Sequence, residues 1–221
     1  MSRKEMHMKK WQAIGFDLDG TLWDACAPVR EAWRRELAGL GREERTPTLA
    51  QFQSVMGLPP RPLALRLFPG MEEGEALALA RRCTRAENDY LRRHGAAPYP
   101  GLEPALARLG QGRRLFLVSN CDAGYIEAFL DHYRLGGYFA AHACAANGRS
   151  KGENIAAVMA ALGVEDALYV GDTQGDCDAA AAAGAAFVHA AWGFGTADRA
   201  LAAAPSLAAL PGVIEGLERE R

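Results

Sequence analysis

The chain has 221 residues, enough for one large domain or a domain with a smaller insert, and it can bury a core without metal or disulfide staples. Its 25 Lys+Arg against 27 Asp+Glu leave a formal net charge of -2, so no field of one sign marks a nucleic acid or another polyanion as partner. Cys26, Cys83, Cys121, Cys144 and Cys177 are odd in number and include no C-x-x-C pair, which argues against a disulfide framework and a zinc site and for reduced thiols.

Residues 1–10 are basic and lack the apolar core of a secretory signal, so export is not expected. Residues 13–16 (AIGF) form a short apolar run that stops at Asp17, the pattern of a buried strand ending in a polar loop. The interval that follows breaks into helical patterns at 29–40, 49–56, 61–68 and 73–94, which predicts an all-helical insert. Its far end, Pro98-Tyr99-Pro100-Gly101, is turn-rich and suits a linker back into the main body.

Beyond residue 101, apolar runs at 114–118 (RLFLV), 167–170 (ALYV) and 185–188 (AAFV) alternate with helical patterns at 123–133, 153–162 and 176–183. A further short strand fits 139–143. Such alternation predicts an α/β fold, a Rossmann-like parallel sheet with helices on both faces. The expected division is a core of residues 1–22 and 98–221 and a small all-helical cap of residues 23–97. The apolar stretch 179–188 is alanine-rich and far shorter than the roughly 20 residues that span a bilayer, so no membrane association and a soluble cytoplasmic protein are expected. The oligomeric state stays open.

Asp17-Leu18-Asp19-Gly20-Thr21 lies where the first strand ends, the place at which open parallel sheets bind ligands. In extended backbone residues i and i+2 point the same way, so Asp17 and Asp19 can address one centre while Leu18 returns to the core and Gly20 lets the chain turn. Two close carboxylates repel, and a divalent cation or a shared proton would compensate them. The same residues also fit a plain polar turn. Gly171-Asp172-Thr173-Gln174-Gly175-Asp176 repeats this placement after the strand ALYV, and hard oxygens such as Asp172 suit Mg²⁺. Asp176 alternatively caps the helix that follows. Between these clusters, Ser119 and Asn120 end the strand RLFLV just ahead of a helix, a phosphate-binding arrangement. Lys151 precedes another helix, where its ammonium can balance carboxylates and phosphoryl oxygens.

In this order the motifs resemble those of the haloacid dehalogenase superfamily, specifically phosphatases similar to phosphoglycolate phosphatase with a helical cap after the first strand. The resemblance covers nearly the whole chain. It implies a Mg²⁺-dependent phosphatase acting on a small phosphorylated metabolite, phosphoglycolate-like or a sugar phosphate, through an aspartyl-phosphate. By that likeness Asp17 is the nucleophile and Asp19 the general acid and base, while Gly20, Thr21, Ser119, Asn120 and Lys151 hold the phosphoryl group. Asp17, the backbone carbonyl of Asp19 and Asp172 would ligate Mg²⁺, with Asp176 positioning a metal-bound water. Met56-Gly57-Leu58-Pro59 resembles the cap loop that relatives lower over the phosphate pocket, with Gly57 close to substrate; it reads equally as a helix end with Gly57 at the left-handed position.

One departure is Lys151-Gly152 where many relatives have Lys-Pro. The five histidines, His7, His94, His132, His142 and His189, show no ligand spacing. Cys121 reads as a small half-buried residue rather than a reactive thiol. Arg81, Arg82, Arg85, Arg92 and Arg93 read as a solvated helix face rather than an anion guide. Competing functions are a phosphomutase with the same residues, and a phosphoryl-receiving or scaffold domain without turnover.

Overall fold

The computed structural model describes residues 10–221; residues 1–9, and with them His7 and nearly all of the segment read above for a signal, lie outside the described residues. The chain begins with β1 (Ala13–Phe16) and the two-residue β2 (Trp23–Asp24), then leaves for four helices. These are α1 (Cys26–Gly39), α2 (Leu49–Val55), α3 (Pro60–Leu67) and α4 (Glu73–His94). It returns through β3 (Ala97–Pro98), which pairs antiparallel with β2, so the two ends of the insert lie side by side.

The remainder alternates as α5 (Leu102–Leu109), β4 (Arg114–Ser119), α6 (Tyr125–Tyr133), β5 (Phe139–Cys144), α7 (Lys151–Leu162), β6 (Ala167–Gly171), α8 (Gln174–Ala182), β7 (Ala186–Ala190), β8 (Ala202–Ala204) and α9 (Leu210–Arg219). Six strands form one parallel sheet in the order β5-β4-β1-β6-β7-β8, with β1 between β4 and β6. Among the described residues no helix is long and apolar enough to cross a membrane.

Side-chain alternation explains the two layers of helices. Ile14, Phe16, Leu115, Leu117, Leu168 and Val170 point to one face and pack with residues of α5, α6 and α9 such as Leu106, Phe129 and Ile214. Ala13, Phe116, Val118, Tyr169 and Phe187 point to the other and meet Ile155, Val158 and Met159 of α7 and Ala180 of α8. Strands buried on both faces read as unbroken apolar runs, as these do.

The insert is held by a helical stripe. On α4 the buried positions Ala76, Leu79, Ala80, Cys83, Glu87, Asn88 and Leu91 recur at the spacing of one helix face, and α1 packs against α4 with Val29, Trp33 and Leu37 buried. Trp23, at the junction, meets Phe129 of α6 edge to face at 5.0 Å between ring centres. Sequence periodicity locates the four insert helices and the strands β1, β4, β5, β6 and β7 within a few residues, but not the β2–β3 pair, α5, β8 or α9. The strand β8 is Ala-Ala-Ala, which has no β-branched or aromatic signature. The helix α9 opens on Leu-Pro-Gly, a composition that reads as a turn.

The helix α9 is tied to the rest by one buried ion pair. Glu218 is 1 % exposed and accepts hydrogen bonds from Arg113 Nε (3.1 Å), Arg113 Nη2 (2.5 Å) and the backbone N–H of Trp11 (3.1 Å). Truncating one partner strands the other charge in the interior, which outweighs the modest net value of the pair itself. Glu218→Ala is therefore expected to lower unfolding free energy by about 3 kcal/mol or more, measured by urea denaturation; a loss indistinguishable from that of an exposed glutamate would refute this account.

Candidate active site

Three adjacent strands deliver the predicted acidic and polar residues to one end of the sheet. Asp17 follows β1 and its N–H bonds the Val170 carbonyl at 2.9 Å, so its backbone continues the ladder while its side chain leaves it. Asp172 follows β6, and Ser119 is the last residue of β4. Leu18 is fully buried and its carbonyl accepts from the N–H groups of Thr21 (3.2 Å) and Leu22 (2.8 Å), closing the turn that presents Asp17 and Asp19. Gly20 adopts φ +81°, and a Cβ there would stand 2.4 Å from Asp172 Oδ2, so the turn and the second acidic loop come together only because this side chain is absent.

Lys151 occupies the first turn of α7, behind the N-cap Ser150, and is 6 % exposed. Its Nζ donates to Asp17 Oδ1 at 2.5 Å and to Asp176 Oδ1. Gly152 next to it lies against α8, where a Cβ would meet the Ala179 carbonyl at 3.1 Å, so the missing side chain lets α7 pack closely on α8. Asp176 is not itself the N-cap, which is Thr173, but the third residue of α8, from which it completes the cap. Its Oδ2 accepts from the N–H (3.0 Å) and hydroxyl (2.7 Å) of Thr173, capping α8, while its Oδ1 faces Lys151.

Asp17, Asp172 and Asp176 are all buried and each offers an oxygen within 4.8 Å of the others. Three carboxyls gather around one ammonium, so if all are ionised the cluster carries an excess of negative charge. Burial above all, and the neighbouring Asp176 and Asp172 charges, push Asp17 well above the usual carboxylate range although Lys151 pulls the other way. Burial and Asp176 raise Asp172 to about 6. Burial opposes the charge on Lys151, but Asp17 and Asp176 outweigh it and hold the ammonium firmly protonated. Asp172 Oδ2 accepts the Phe194 N–H at 2.7 Å, whereas its Oδ1 is sealed from solvent with no hydrogen-bond partner. A buried oxygen of this kind costs free energy unless something pairs with it, and a divalent cation fits both the oxygen and the charge excess. The trio can therefore hold a hard metal ion.

The Asp19 carboxyl is not part of this trio. It accepts from the Tyr125 hydroxyl at 2.8 Å, and burial raises it to about 7 despite that bond. Asp17, Asp19, Ser119, Asn120 and Lys151 line a cavity of about 600 Å³ between the sheet and the insert. Gly20 and Thr21 do not line it: Thr21 is fully buried with its hydroxyl unpaired, behind the two aspartates. Gly57 lies on the insert side of the same cavity at φ +78°, and its carbonyl accepts from Asn120 Nδ2 at 2.8 Å. It both ends α2 in the left-handed region and touches the strand-end loop.

Residues 14–190 match the family model described as haloacid dehalogenase-like hydrolase. The chain belongs to this family. It is 31% identical over 195 residues to tyrosine-protein kinase PtkA of Mycobacterium tuberculosis, covering 85% of this chain and 64% of that protein, so the chain spans less than two thirds of the length of that relative. It is 30% identical over 189 residues to phosphoglycolate phosphatase of Aquifex aeolicus, covering 83% of this chain and 86% of that protein. A solved haloacid dehalogenase-like hydrolase from Streptococcus pneumoniae superposes with TM-score 0.74 over 96% of this chain and 99% of that one at 21% identity, a likeness of fold.

Two site elements of this haloacid dehalogenase-like chain lie outside the motifs. Tyr125 arrives from α6 with no motif to mark it. The loop Trp192-Gly193-Phe194-Gly195 follows β7, and its Phe194 N–H orients Asp172; its signal in the sequence is a glycine-rich stretch after the last strong apolar run. The remaining candidates take structural places. Cys121 lines the cavity, yet a hydrogen bond to Cys144 and burial keep its thiol far above the reactive range. His189 Nε2 bonds the Asp172 carbonyl at 3.1 Å. Arg82 and Arg92 pair with Glu36 and Asp131, leaving Arg81 as the member of its cluster at the cavity.

The Tyr125 hydroxyl stabilises ionised Asp19. Removing it in Tyr125→Phe is expected to move the Asp19 titration midpoint above about 7, followed by carboxyl carbon NMR. A midpoint that stays or falls would show that the hydroxyl does not hold this carboxyl.

Proposed function

We propose that the protein is a Mg²⁺-dependent phosphomonoester hydrolase that acts on a small phosphorylated metabolite through an aspartyl-phosphate on Asp17. The observation that carries this reading is the pairing of two unlike carboxyls at one cavity: Asp17 fixed by Lys151 within the acidic trio, and Asp19 two residues on, poised near neutrality on Tyr125. One group is built to attack, the other to move a proton. Asp17, Asp172 and Asp176 would hold the Mg²⁺, with the Asp19 carbonyl as the resemblance implies, and the ion would neutralise the excess negative charge of carboxylates and phosphoryl group together.

In the first half-reaction an Asp17 oxygen forms the new bond to phosphorus as the ester P–O bond breaks, and protonated Asp19 gives its proton to the departing oxygen. In the second, ionised Asp19 takes a proton from water, whose oxygen attacks phosphorus and releases Asp17 as carboxylate. Lys151 and the Ser119–Asn120 strand end balance the charge on the transferring group. Residues 23–97 act as the cap over a core of 1–22 and 98–221, and the Gly57–Asn120 contact is where cap and core meet over the site. The Aquifex relative's name puts phosphoglycolate among the substrates to consider, and the resemblance adds sugar phosphates. A phosphomutase with the same residues would instead show dependence on an added sugar bisphosphate.

Hydrolysis of an aryl phosphate should require Mg²⁺ and be abolished both by a chelator and in Asp17→Asn. Full activity in chelator would reject the metal assignment, and phosphate trapped on a residue other than Asp17 would reject the nucleophile. Lys151→Ala should fold yet lose about 10²-fold or more in kcat, the scale of losing a charge stabiliser, read by steady-state kinetics beside circular dichroism. An unchanged kcat would remove Lys151 from the reaction.

A further inference from the structure

The insert side of the cavity is apolar. Val29, Trp33, Phe52, Leu63, Leu77 and Ala80 line it, and Trp33 is braced edge to face by Phe52 at 5.1 Å and stacked on Phe68 at 5.9 Å between ring centres. Into this wall α4 brings one carboxyl, Glu87, which also lines the cavity and is only 7 % exposed. The Trp33 indole N–H donates to Glu87 Oε2. Its other oxygen, Oε1, has no protein partner, and no cation pairs with Glu87 among the described residues.

A buried carboxyl is ordinarily paired or fully hydrogen-bonded, because an unpaired one forfeits its hydration. Arg61, Arg81 and Arg149 line the same cavity, and among the described residues none of them forms an ion pair with Glu87. Arg61 is bound by Glu73 through bonds of 2.6 and 3.0 Å, and Arg81 is exposed at the cavity edge, where its charge acts on Asp122. Asp19, which accepts from Tyr125, and Glu87 both line this cavity, one from its core side and the other from its insert side.

We infer that Glu87 is a specificity-determining residue that receives a cationic leaving group, and that the substrate is the phosphomonoester of an amino alcohol whose ammonium seats on Glu87 at the free Oε1, beside the Trp33–Phe52 wall. The inference rests on the phosphatase reading of Asp17 and names the alcohol that site releases. The ammonium supplies the counter-charge that the protein does not, and aromatic faces add attraction for a desolvated cation. The apolar wall covers the methylenes between nitrogen and ester oxygen. A leaving group ending in carboxylate, as in phosphoglycolate, would instead put a second anion against Glu87. Burial holds Glu87 well above the usual carboxylate range, and an arriving ammonium would release its proton to solvent and leave an ion pair.

The test compares aminobutyl phosphate, butyl phosphate and phosphooxybutyrate as substrates, with Mg²⁺, for the unmodified protein and for Glu87→Gln and Glu87→Leu. The unmodified protein should favour the amino ester over the butyl ester by about tenfold or more in kcat/KM, the scale of a hydrogen bond to a charged group, and should disfavour the carboxylate. Glu87→Gln keeps an acceptor for Trp33 and so the fold, checked by melting temperature, and should bring the amino-to-butyl ratio to about one while improving phosphooxybutyrate. Glu87→Leu should lose the amino preference as well. The same ranking is measured without chemistry by calorimetric binding of the matching phosphonates, in which a methylene replaces the ester oxygen. If no ester turns over but the amino phosphonate still binds best through Glu87, the hydrolase reading falls and the Glu87 assignment stands. An amino-to-butyl binding ratio of one in the unmodified protein, or a ratio unchanged in Glu87→Gln, overturns the inference whatever the turnover.

Discussion

Three carboxylates share one small buried volume with a single ammonium. Everything at the open end of the sheet is arranged around keeping Asp17, Asp172 and Asp176 together against their repulsion. Lys151 spans two of them, Phe194 holds the third by a backbone N–H, and Gly20 and Gly193 carry no side chain to push the loops apart. Such an arrangement is unfavourable for an isolated fold, and the sealed Asp172 Oδ1 marks where the unfavourable part is concentrated. The rest of the domain, with strands buried on both faces, supplies the rigidity that makes the clustering tolerable.

The same economy governs the insert. It approaches the core through few polar contacts, of which the Asn120–Gly57 hydrogen bond lies directly beside the cavity and the Asn88 amide to the Ala123 carbonyl, at 2.8 Å, lies beyond it. Both core partners sit on the loop between β4 and α6 that follows Ser119. The loop that ends the β4 strand therefore reports on the position of the insert, as does α6, whose Asp131 and Tyr133 bond Arg92 and Ala96.

Much of this was legible in the sequence because it rests on local patterns. Apolar runs ending in Asp17, Ser119 and Asp172 are strand signatures with a polar full stop, and α4 announces itself through twenty-two residues of helical spacing. Lys151 and Asp176 were readable as neighbours of helix starts, but their meeting with Asp17 depends on the order of strands in the sheet, which periodicity does not encode. Tyr125 and Glu87 were harder for the same reason. Each sits on a helix face whose other residues are core, and only the packing of α6 and α4 against the turn after β1 turns them toward the cavity. The β2–β3 ribbon has two residues per strand, too few for any alternation to show. Thr21 illustrates the converse: a motif residue in sequence, it lies behind the site with its hydroxyl sealed in the interior.

That ribbon has a consequence for how such a molecule can change over generations. Trp23 and Asp24 pair with Pro98 and Ala97, and the Tyr99 N–H bonds the Leu22 carbonyl at 3.0 Å, so the chain leaves and rejoins the sheet at neighbouring points. A segment whose ends already touch closes its loop at small and nearly length-independent entropic cost. The helices between those ends can be lengthened, shortened or exchanged for another module without disturbing the strand that carries Asp17. The strand-end acidic cluster is thereby inherited as one unit and the helical insert as another, free to diverge at different rates.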